Sequence, residues 1–234
     1  MSERVSVREQ AMRRFLLVLV LLLAGCGSES TKPVEKQGLF IEPPPLVNRL
    51  IASYEKKDST AYANFFTGDF TYEFSNATDP QLVTQYPGGW SGVDERASAG
   101  HLFHGLMKPG QETLPAASVI DIHFAVTIPV DDPGSADPVT HELLVTRIDG
   151  QITIPPTELR PDPTDFLIDN NLNVLYFVRG DSATGLGPNQ PADSQHWYIY
   201  RWVDLTEAHE NTSPAEGPVP TRPTTWGRLK ADYR

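Results

Sequence analysis

The second half of the chain contains four segments that are rich in β-branched and aromatic residues. They span residues 118–129, 139–154, 166–179 and 195–205, and clusters of proline, glycine or aspartate separate them. Segments of this composition are typical of strands, and the connectors between them are typical of exposed loops. The pattern predicts an antiparallel sheet, and the dipeptide Asp149-Gly150 predicts a tight hairpin turn that divides the second segment into two strands.

The chain before residue 118 has helical spacing instead. After the prolines at 43–45, apolar residues at positions 46, 47, 50, 51 and 54 predict one stripe of a helix, and Asp58-Ser59 ends it. A short helix is predicted at residues 60–66, and a strand of alternating aromatic and polar residues at 70–74. Acidic residues at the start of the segment 94–105 predict a third helix there. The domain is therefore predicted to be α+β.

Three runs of sequence resemble the nuclear transport factor 2-like (SnoaL-like) superfamily, and within it a branch of uncharacterised bacterial lipoproteins. The runs are SYEKKDSTAYANFFTGDFTYEF at residues 53–74, HWYIYRWVD at 196–204 and TWGRLKADY at 225–233. The resemblance covers residues 46–233 and implies a cone-shaped domain, in which a curved antiparallel sheet wraps around the N-terminal helices. It implies a pocket but no particular reaction, because the superfamily includes isomerases, dehydratases, polyketide cyclases and members that only bind.

The N-terminal region contains an apolar run of nine residues, Phe15 to Leu23, after Arg13 and Arg14. A helix needs about 20 apolar residues to span the hydrocarbon core, so this run is too short and is typical of a signal peptide. The next residues, ending in Ala24-Gly25-Cys26, resemble the lipobox of bacterial lipoproteins. The resemblance implies cleavage before Cys26 and a lipid anchor on its thiol, with several acyl chains that together give stable attachment.

These features divide the chain into three predicted parts. Residues 1–25 are a lipoprotein signal peptide, whose start is Met1 or Met12, and residues 26–42 are a flexible tether. Residues 43–234 are the α+β domain. The predicted location is the cell membrane or the outer membrane, with the domain facing the periplasm or the exterior. Cys26 is the only cysteine, so the sequence excludes a disulfide within the chain and a cysteine-based metal site.

The mature chain is strongly acidic. Removal of residues 1–25 takes away four arginines and two glutamates, which leaves 15 basic and 28 acidic residues and a net charge of −13. A negative field repels phosphate backbones and anionic lipid headgroups. The composition therefore argues against nucleic-acid binding, and it leaves the lipid on Cys26 as the predicted link to the membrane.

Two histidine-containing pairs are candidates for chemistry. Asp121 and His123 alternate on a predicted strand and so share one face, where they could act as an acid/base pair inside the cone, although a polar outer face of the sheet has the same spacing. His101 and His104 are three residues apart on the third helix, and such a pair can ligate a metal. No carboxylate stands at metal-ligand spacing beside them, so no metal and no other cofactor is predicted.

Aromatic residues are the remaining candidates, and they suggest a pocket. Strict alternation along residues 196–203 would place Tyr198, Tyr200 and Trp202 on one face, and Trp197, Ile199 and Val203 on the other. Aromatic residues on both faces are compatible with an apolar pocket, a homodimer face or simple packing against helices. The candidate pocket residues are Phe70, Tyr72, Phe74, Trp90, Phe103, Tyr198, Tyr200 and Trp202.

The functional expectation follows from a complete fold without a convergent catalytic set. The sequence predicts a lipid-anchored, non-catalytic protein whose domain binds an apolar small molecule or a partner protein through aromatic residues. The alternative is an enzyme of the isomerase or dehydratase kind, with Asp121 and His123 as its acid/base pair.

Overall fold

The computed structural model describes residues 43–106, 114–125, 129–137, 139–158, 161–207 and 221–234. Cys26, the predicted signal peptide and the predicted tether lie outside the described residues. Within those ranges, no helix is both long enough and apolar enough to span a membrane.

Five helices lie in the described part of the chain. The first helix includes the prolines, which are compatible with a first helical turn because the amide hydrogens there have no partner within the helix. Asp58 caps the second helix by accepting a hydrogen bond from Ala61 N at 2.9 Å. The third helix, which begins at Pro80, is absent from the sequence prediction. The helices are α1 (Pro43–Glu55), α2 (Ser59–Ala63), α3 (Pro80–Gln85), α4 (Gly92–His104) and α5 (Trp226–Asp232).

The described strands form one curved, eight-stranded sheet. Its main path has the order β2-β1-β7-β6-β5-β3, with β4 also paired to β5 and β8 also paired to β6. The pairs β1·β7 and β6·β8 are parallel, and the others are antiparallel. The predicted α+β class is confirmed, and the curved sheet with its helices agrees with a cone. The strands are β1 (Phe66–Glu73), β2 (Trp90–Ser91), β3 (Val119–Phe124), β4 (Val130–Asp131), β5 (His141–Ile154), β6 (Thr164–Arg179), β7 (Trp197–Asp204) and β8 (Thr221–Pro223).

The predicted hairpin at Asp149-Gly150 is wrong, because β5 continues through both residues. The register between β5 and β6 shifts between Ile148 and Gly150, so the dipeptide lies at an irregularity within the strand. A Cβ atom on Gly150 would lie 2.5 Å from the carbonyl oxygen of Asp121 on β3, so the strands approach closely here. Glycine inside a strand often marks such a bulge or close approach.

The hydrophobic core lies between the helices and one face of the sheet, which we call the inner face. Helix α1 packs on β3, α4 packs on β1 and β2, and α5 packs on α4 and β6. The opposite side is the outer face. The inner face is mainly apolar and almost completely buried, with core residues that include Ile122, Leu144, Ile148, Ile152, Leu175, Phe177, Ile199 and Trp202.

A bulge in β7 decides which residues of that strand reach the core. Phe177 on β6 pairs with Ile199 and the preceding Tyr176 pairs with Arg201, so Tyr200 is the extra residue. A bulge shifts the alternation of side chains along a strand. The predicted grouping of Tyr198, Tyr200 and Trp202 on one face is therefore wrong: Trp202 joins Ile199 on the inner face, and both tyrosines lie on the outer face.

Candidate functional site

The interior of the domain contains a buried ion pair between its fourth and last helices. Lys230 of α5 places Nζ 2.9 Å from each carboxylate oxygen of Glu95 on α4. The side chain of Lys230 is 1% exposed and that of Glu95 is 0% exposed. Charged side chains are almost never buried to this extent without a partner, so the two groups depend on each other.

Local sequence at the start of α4 explains why Glu95 points inward. Ser91 and Asp94 form a capping box, in which Asp94 Oδ2 accepts a hydrogen bond from Ser91 N at 3.0 Å. Asp94 also accepts hydrogen bonds from Arg234 near the surface. Glu95 is the next residue and is turned about 100° around the helix axis, toward the sheet. The sequence prediction used the acids only as a helix-start signal and missed the buried role of Glu95.

Two neutral donors complete the surroundings of the Glu95 carboxylate. Trp90 Nε1 donates to Glu95 Oε2 at 3.0 Å, and the Tyr62 hydroxyl donates to Oε1. The hydroxyls of Tyr62 and Tyr54 lie 2.6 Å apart, so the network extends to α1. Burial, reinforced by the Glu95 charge, raises the pKa of Tyr62 well above its ordinary value of 10.0, which keeps this hydroxyl protonated as a donor.

Aromatic rings surround the ammonium group of Lys230. Nζ lies 3.6 Å from the ring centroid of Tyr72 and 4.3 Å from that of Trp202. The centroids of Trp226 and Trp90 are 5.7 and 5.8 Å away, within the range of cation–π attraction. We call Glu95 with Tyr72, Trp90 and Trp202 the ammonium cage.

The pKa of Lys230 reflects two opposing effects. Burial lowers it from 10.5 to about 8, and the nearby Glu95 charge opposes this shift. At pH 7 the amine therefore keeps its proton, and the pair is ionic. The cage holds a cation with both carboxylate oxygens of Glu95 as acceptors.

Helix α5 is held in place by hydrogen bonds at both ends. Thr225 caps the helix by accepting from Arg228 N at 3.0 Å and donates to Asp79 Oδ2 at 2.6 Å. Ser98 Oγ donates to the carbonyl oxygen of Lys230 at 2.5 Å. Trp226 Nε1 is buried without a hydrogen-bond partner among the described residues. The docked helix thus leaves one buried donor unsatisfied.

The predicted pocket residues separate into three groups, one of which is Tyr198 and Tyr200 on the outer face. Tyr72, Trp90 and Trp202 converge on Lys230 as described. Phe70, Phe74 and Phe103 pack in the core: their rings lie 4.6 Å from Phe66, 4.9 Å from Trp90 and 5.5 Å from Tyr54, respectively. Phe74 also lines an open cleft at the end of β1. The aromatic side chains thus pack against one another and around Lys230 of the same chain.

Asp121 and His123 share a face of β3, as the alternation predicts, but that face is the outer one. His123 Nε2 lies 3.2 Å from Asp121 Oδ1, and their side chains are 72% and 60% exposed. The expected position inside the cone is therefore wrong for this pair. Ile120 and Ile122 occupy the inward positions of the strand, because burial of apolar side chains decides which face turns to the core.

His101 and His104 contact different parts of the molecule. His101 Nδ1 lies 2.8 Å from the carbonyl oxygen of Tyr233, and His104 Nε2 lies 3.2 Å from Ser59 Oγ. Among the described residues, no group of three or more histidine, cysteine or acidic side chains is placed to hold a metal ion.

The outer face carries a cluster of aromatic and charged residues that we call the outer patch: His141, Tyr176, Tyr200 and Arg201. The Tyr200 ring lies 5.6 Å from His141 and 6.0 Å from Tyr176, and the Arg201 guanidinium lies 4.9 Å from the Tyr176 ring. Arg201 makes a two-point ion pair with Glu73, at 2.6 and 3.0 Å. The Tyr200 hydroxyl donates to Asp132 at 2.8 Å. All four side chains remain partly exposed.

An open cleft adjoins the outer patch at Glu73. Its volume is about 330 Å³. It lies at the end of β1, and it is lined by Glu73, Phe74, Val83, Tyr86, Pro87, Gly88 and Gly89.

No protein-family model matches this chain, and no curated protein matches it. Solved structures do. A nuclear transport factor 2-like superfamily protein from Salmonella enterica serovar Typhimurium is 12% identical, with a TM-score of 0.39, and the match covers 74% of this chain and 92% of that chain. A ketosteroid isomerase-like protein from Erwinia carotovora atroseptica is 13% identical, with a TM-score of 0.39 and coverages of 69% and 90%. A conserved protein from Planctomyces limnophilus is 11% identical, with a TM-score of 0.41 and coverages of 68% and 89%.

These likenesses are distant, and no activity passes from those proteins to this chain.

Proposed function

We propose that this chain is a lipid-anchored, non-catalytic binding protein that holds a partner protein at the outer patch. The observation that supports this most directly is the occupied interior: the Lys230 side chain fills the space between α4 and the sheet. Lys230 therefore occupies the position that Tyr72 and Trp202 enclose. The outer patch presents tyrosine and arginine side chains on the described surface, and this chemistry suits a protein partner.

Anchoring rests on the lipobox-like residues and the apolar run before them. Cys26→Ser removes the thiol that receives the lipid, so the variant should leave the membrane fraction and appear in the soluble fraction. Gly27→Ala keeps the thiol and should stay with the membrane. A Cys26→Ser protein that still sediments with membranes would contradict lipid anchoring.

The surroundings of Glu95 and of the pair Asp121 and His123 support a non-catalytic role. The Glu95 carboxylate accepts hydrogen bonds from Lys230, Trp90 and Tyr62, so it is not free to take a proton from a substrate. Asp121 and His123 are exposed, and no enclosing surface excludes water from them. The isomerase or dehydratase alternative therefore has no favourable site among the described residues.

The composition and rigidity of the outer patch favour protein binding. Tyrosine and arginine are enriched among residues that dominate binding energy at protein interfaces. Glu73 and Asp132 hold Arg201 and Tyr200 in fixed positions, so little side-chain entropy is lost when a partner binds. Val145 on the same face is 42% exposed and extends the patch with apolar surface.

Site-specific photocrosslinking in the native host tests this surface. A benzoylphenylalanine at position 176 replaces one aromatic side chain by another and should give a discrete crosslinked adduct. The same probe at position 119, where Val119 is 50% exposed on β3, is the matched control and should give none. An adduct of twice the chain mass would identify a second copy as the partner, and another mass would identify a different protein. Absence of an adduct at position 176 would refute the proposal.

A further inference from the structure

The buried carboxylate of Glu95 requires a cation in the interior as its counterion. Its other two partners, Trp90 and Tyr62, are neutral donors, so they satisfy lone pairs but do not cancel the charge. An unpaired buried carboxylate is strongly unfavourable. The cation comes from a residue 135 positions later in the chain, on a helix of seven residues.

Stability alone does not explain why this cation is a lysine of α5. Replacement of a buried ion pair by apolar residues of similar size is often neutral or stabilising. The walls of the ammonium cage belong to β1, β2, α4 and β7, whereas α5 supplies the cation and Trp226, whose ring centroid lies 5.7 Å from Nζ. The carboxylate and the two nearest rings, Tyr72 and Trp202, are therefore independent of α5.

We propose that the ammonium cage is a binding site for a primary alkylammonium ion, which Lys230 occupies as an internal ligand until α5 moves away. This site lies on the inner face of the sheet, and so it is separate from the outer patch and goes beyond the function proposed above. Lys230 of α5 therefore competes with a free alkylammonium ion for the cage. A ligand with the shape of the lysine side chain, such as n-butylammonium, is the appropriate probe.

The geometry selects a primary ammonium group. Both carboxylate oxygens of Glu95 accept from Nζ at 2.9 Å, an arrangement that favours a nitrogen with two or more N–H donors. The nitrogen lies 3.6 Å from the Tyr72 centroid. A methyl carbon about 1.5 Å beyond the nitrogen, directed at this ring, would approach the centroid to about 2 Å, far inside the usual contact distance of about 3.5 Å. Quaternary ammonium ions therefore fit poorly.

Two features favour release of α5 over release of the cage walls. In the docked helix, Trp226 Nε1 has no hydrogen-bond partner within the described ranges, and an unsatisfied buried donor lowers the free energy gained on docking. The α5 helix is also short, with seven residues, so few backbone hydrogen bonds are broken when it leaves. A free alkylammonium ion can satisfy Glu95 while α5 and Trp226 return to water.

The first experiment uses the unmodified protein. Hydrogen exchange of a peptide that covers α5 is compared in n-butylammonium chloride, tetramethylammonium chloride and sodium chloride at equal ionic strength. A ligand at ten times its dissociation constant for the open form should raise the open population, and with it the exchange rate of α5, about tenfold. Exchange of β6 should not change, and tetramethylammonium should have no effect beyond that of sodium.

The second experiment uses Lys230→Ala, which empties the cage. The n-butylammonium ion should raise the Tm of this variant, and tetramethylammonium should not. If Lys230→Ala does not fold alone, n-butylammonium should restore its folded circular dichroism spectrum. Lys230→Met fills the same space with an apolar side chain and is the control that should not respond.

The two experiments have clear contrary outcomes. In the first, n-butylammonium stabilises Lys230→Ala but leaves the hydrogen exchange of α5 in the unmodified protein unchanged. Lys230 would then have only a structural role, and the proposal would be overturned. An equal response of Lys230→Ala to n-butylammonium and tetramethylammonium would overturn it too. Neither result bears on the crosslink at position 176, so this proposal and the proposed function fail independently.

Discussion

Lys230 and Glu95 form a two-point ion pair inside the domain, with Nζ 2.9 Å from each carboxylate oxygen. The pair joins the fourth helix to the last one and lies against the inner face of the sheet. Removal of either charge leaves the other buried without a counterion, and so stability depends on both together.

The first prediction concerns Glu95→Gln. This variant keeps the size of the side chain but leaves the Lys230 charge unpaired, and breaking a buried pair costs about 3–5 kcal/mol. Urea denaturation should show a loss of that order in the free energy of unfolding. The double variant Glu95→Gln with Lys230→Met has no buried charge and should be more stable than Glu95→Gln alone. A single variant as stable as the unmodified protein would contradict the importance of the pair.

The second prediction concerns pH. The folded pKa of Lys230 is about 8, below the ordinary 10.5, so between these values the unfolded chain binds more protons than the folded one. The contribution of Lys230 to the free energy of unfolding should therefore rise with pH in this window, by at most about 1.4 kcal/mol per pH unit. Below pH 8 both states are protonated and the slope vanishes.

Buried tyrosines limit this window from above. Burial raises the pKa of Tyr54, Tyr62 and Tyr72 well above 10.0, so above pH 10 the unfolded chain releases these protons first and stability falls. Urea denaturation at pH 7, 8, 9 and 10 should be done with the unmodified protein and with Lys230→Met, which lacks the titrating amine. The difference between their unfolding free energies should grow in favour of the unmodified protein from pH 8 to 10. A constant difference would contradict the prediction.

The third prediction concerns two glycines with opposite surroundings. A Cβ on Gly68 of β1 would lie 2.2 Å from the carbonyl oxygen of Gly185, so Gly68→Ala must separate β1 from the loop before β7. A Cβ on Gly100 in α4 meets nothing within 4 Å. Thermal unfolding should show a loss of about 1–3 kcal/mol for Gly68→Ala. Gly100→Ala should gain up to about 1 kcal/mol, because alanine has the higher helix propensity. Equal effects of the two substitutions on stability would contradict the close approach of Gly68 to Gly185.

The fourth prediction concerns the bulge at Tyr200. Deletion of this residue removes the irregularity but leaves Ile199 and Trp202 on the inner face, so the variant should fold, with a loss of about 1–3 kcal/mol. Deletion of Val203 should cost more, because it turns the buried Asp204 toward the outer face. Near-UV circular dichroism and urea denaturation measure both effects. A deletion of Tyr200 that loses the tertiary signal would contradict the assigned register.

Local signals predicted most elements of the fold. The alternation of Phe70, Tyr72 and Phe74 identified the first strand and its buried face, and Asp58 marked the boundary between the first two helices. Predicted ends differ from the observed ones by several residues; β1, for example, begins at Phe66 and not at residue 70. The helix α3 was missed because its six residues are too short for a periodic pattern.

The candidate site was less accessible to prediction. Three of its aromatic residues, Tyr72, Trp90 and Trp202, were among the expected pocket residues, but Glu95 and Lys230 were not. Each lies on a helix, where a charged residue is ordinarily exposed, and neither has a local signal that indicates burial. Asp121 and His123 gave the opposite error, since alternation shows that two residues share a face but not which face is buried.

The sequence by itself determined the types of the elements, the acidity of the chain and the expectation of a lipid on Cys26, because each of these depends on residues that are close together in the chain. Only the tertiary structure decided that Lys230 meets Glu95, and that a bulge at Tyr200 turns Trp202 inward to join them. Periodicity relates side chains within one element. Which side chain arrives from another element depends on how all the helices pack against the sheet, and that packing placed a cation from the last helix inside the cage.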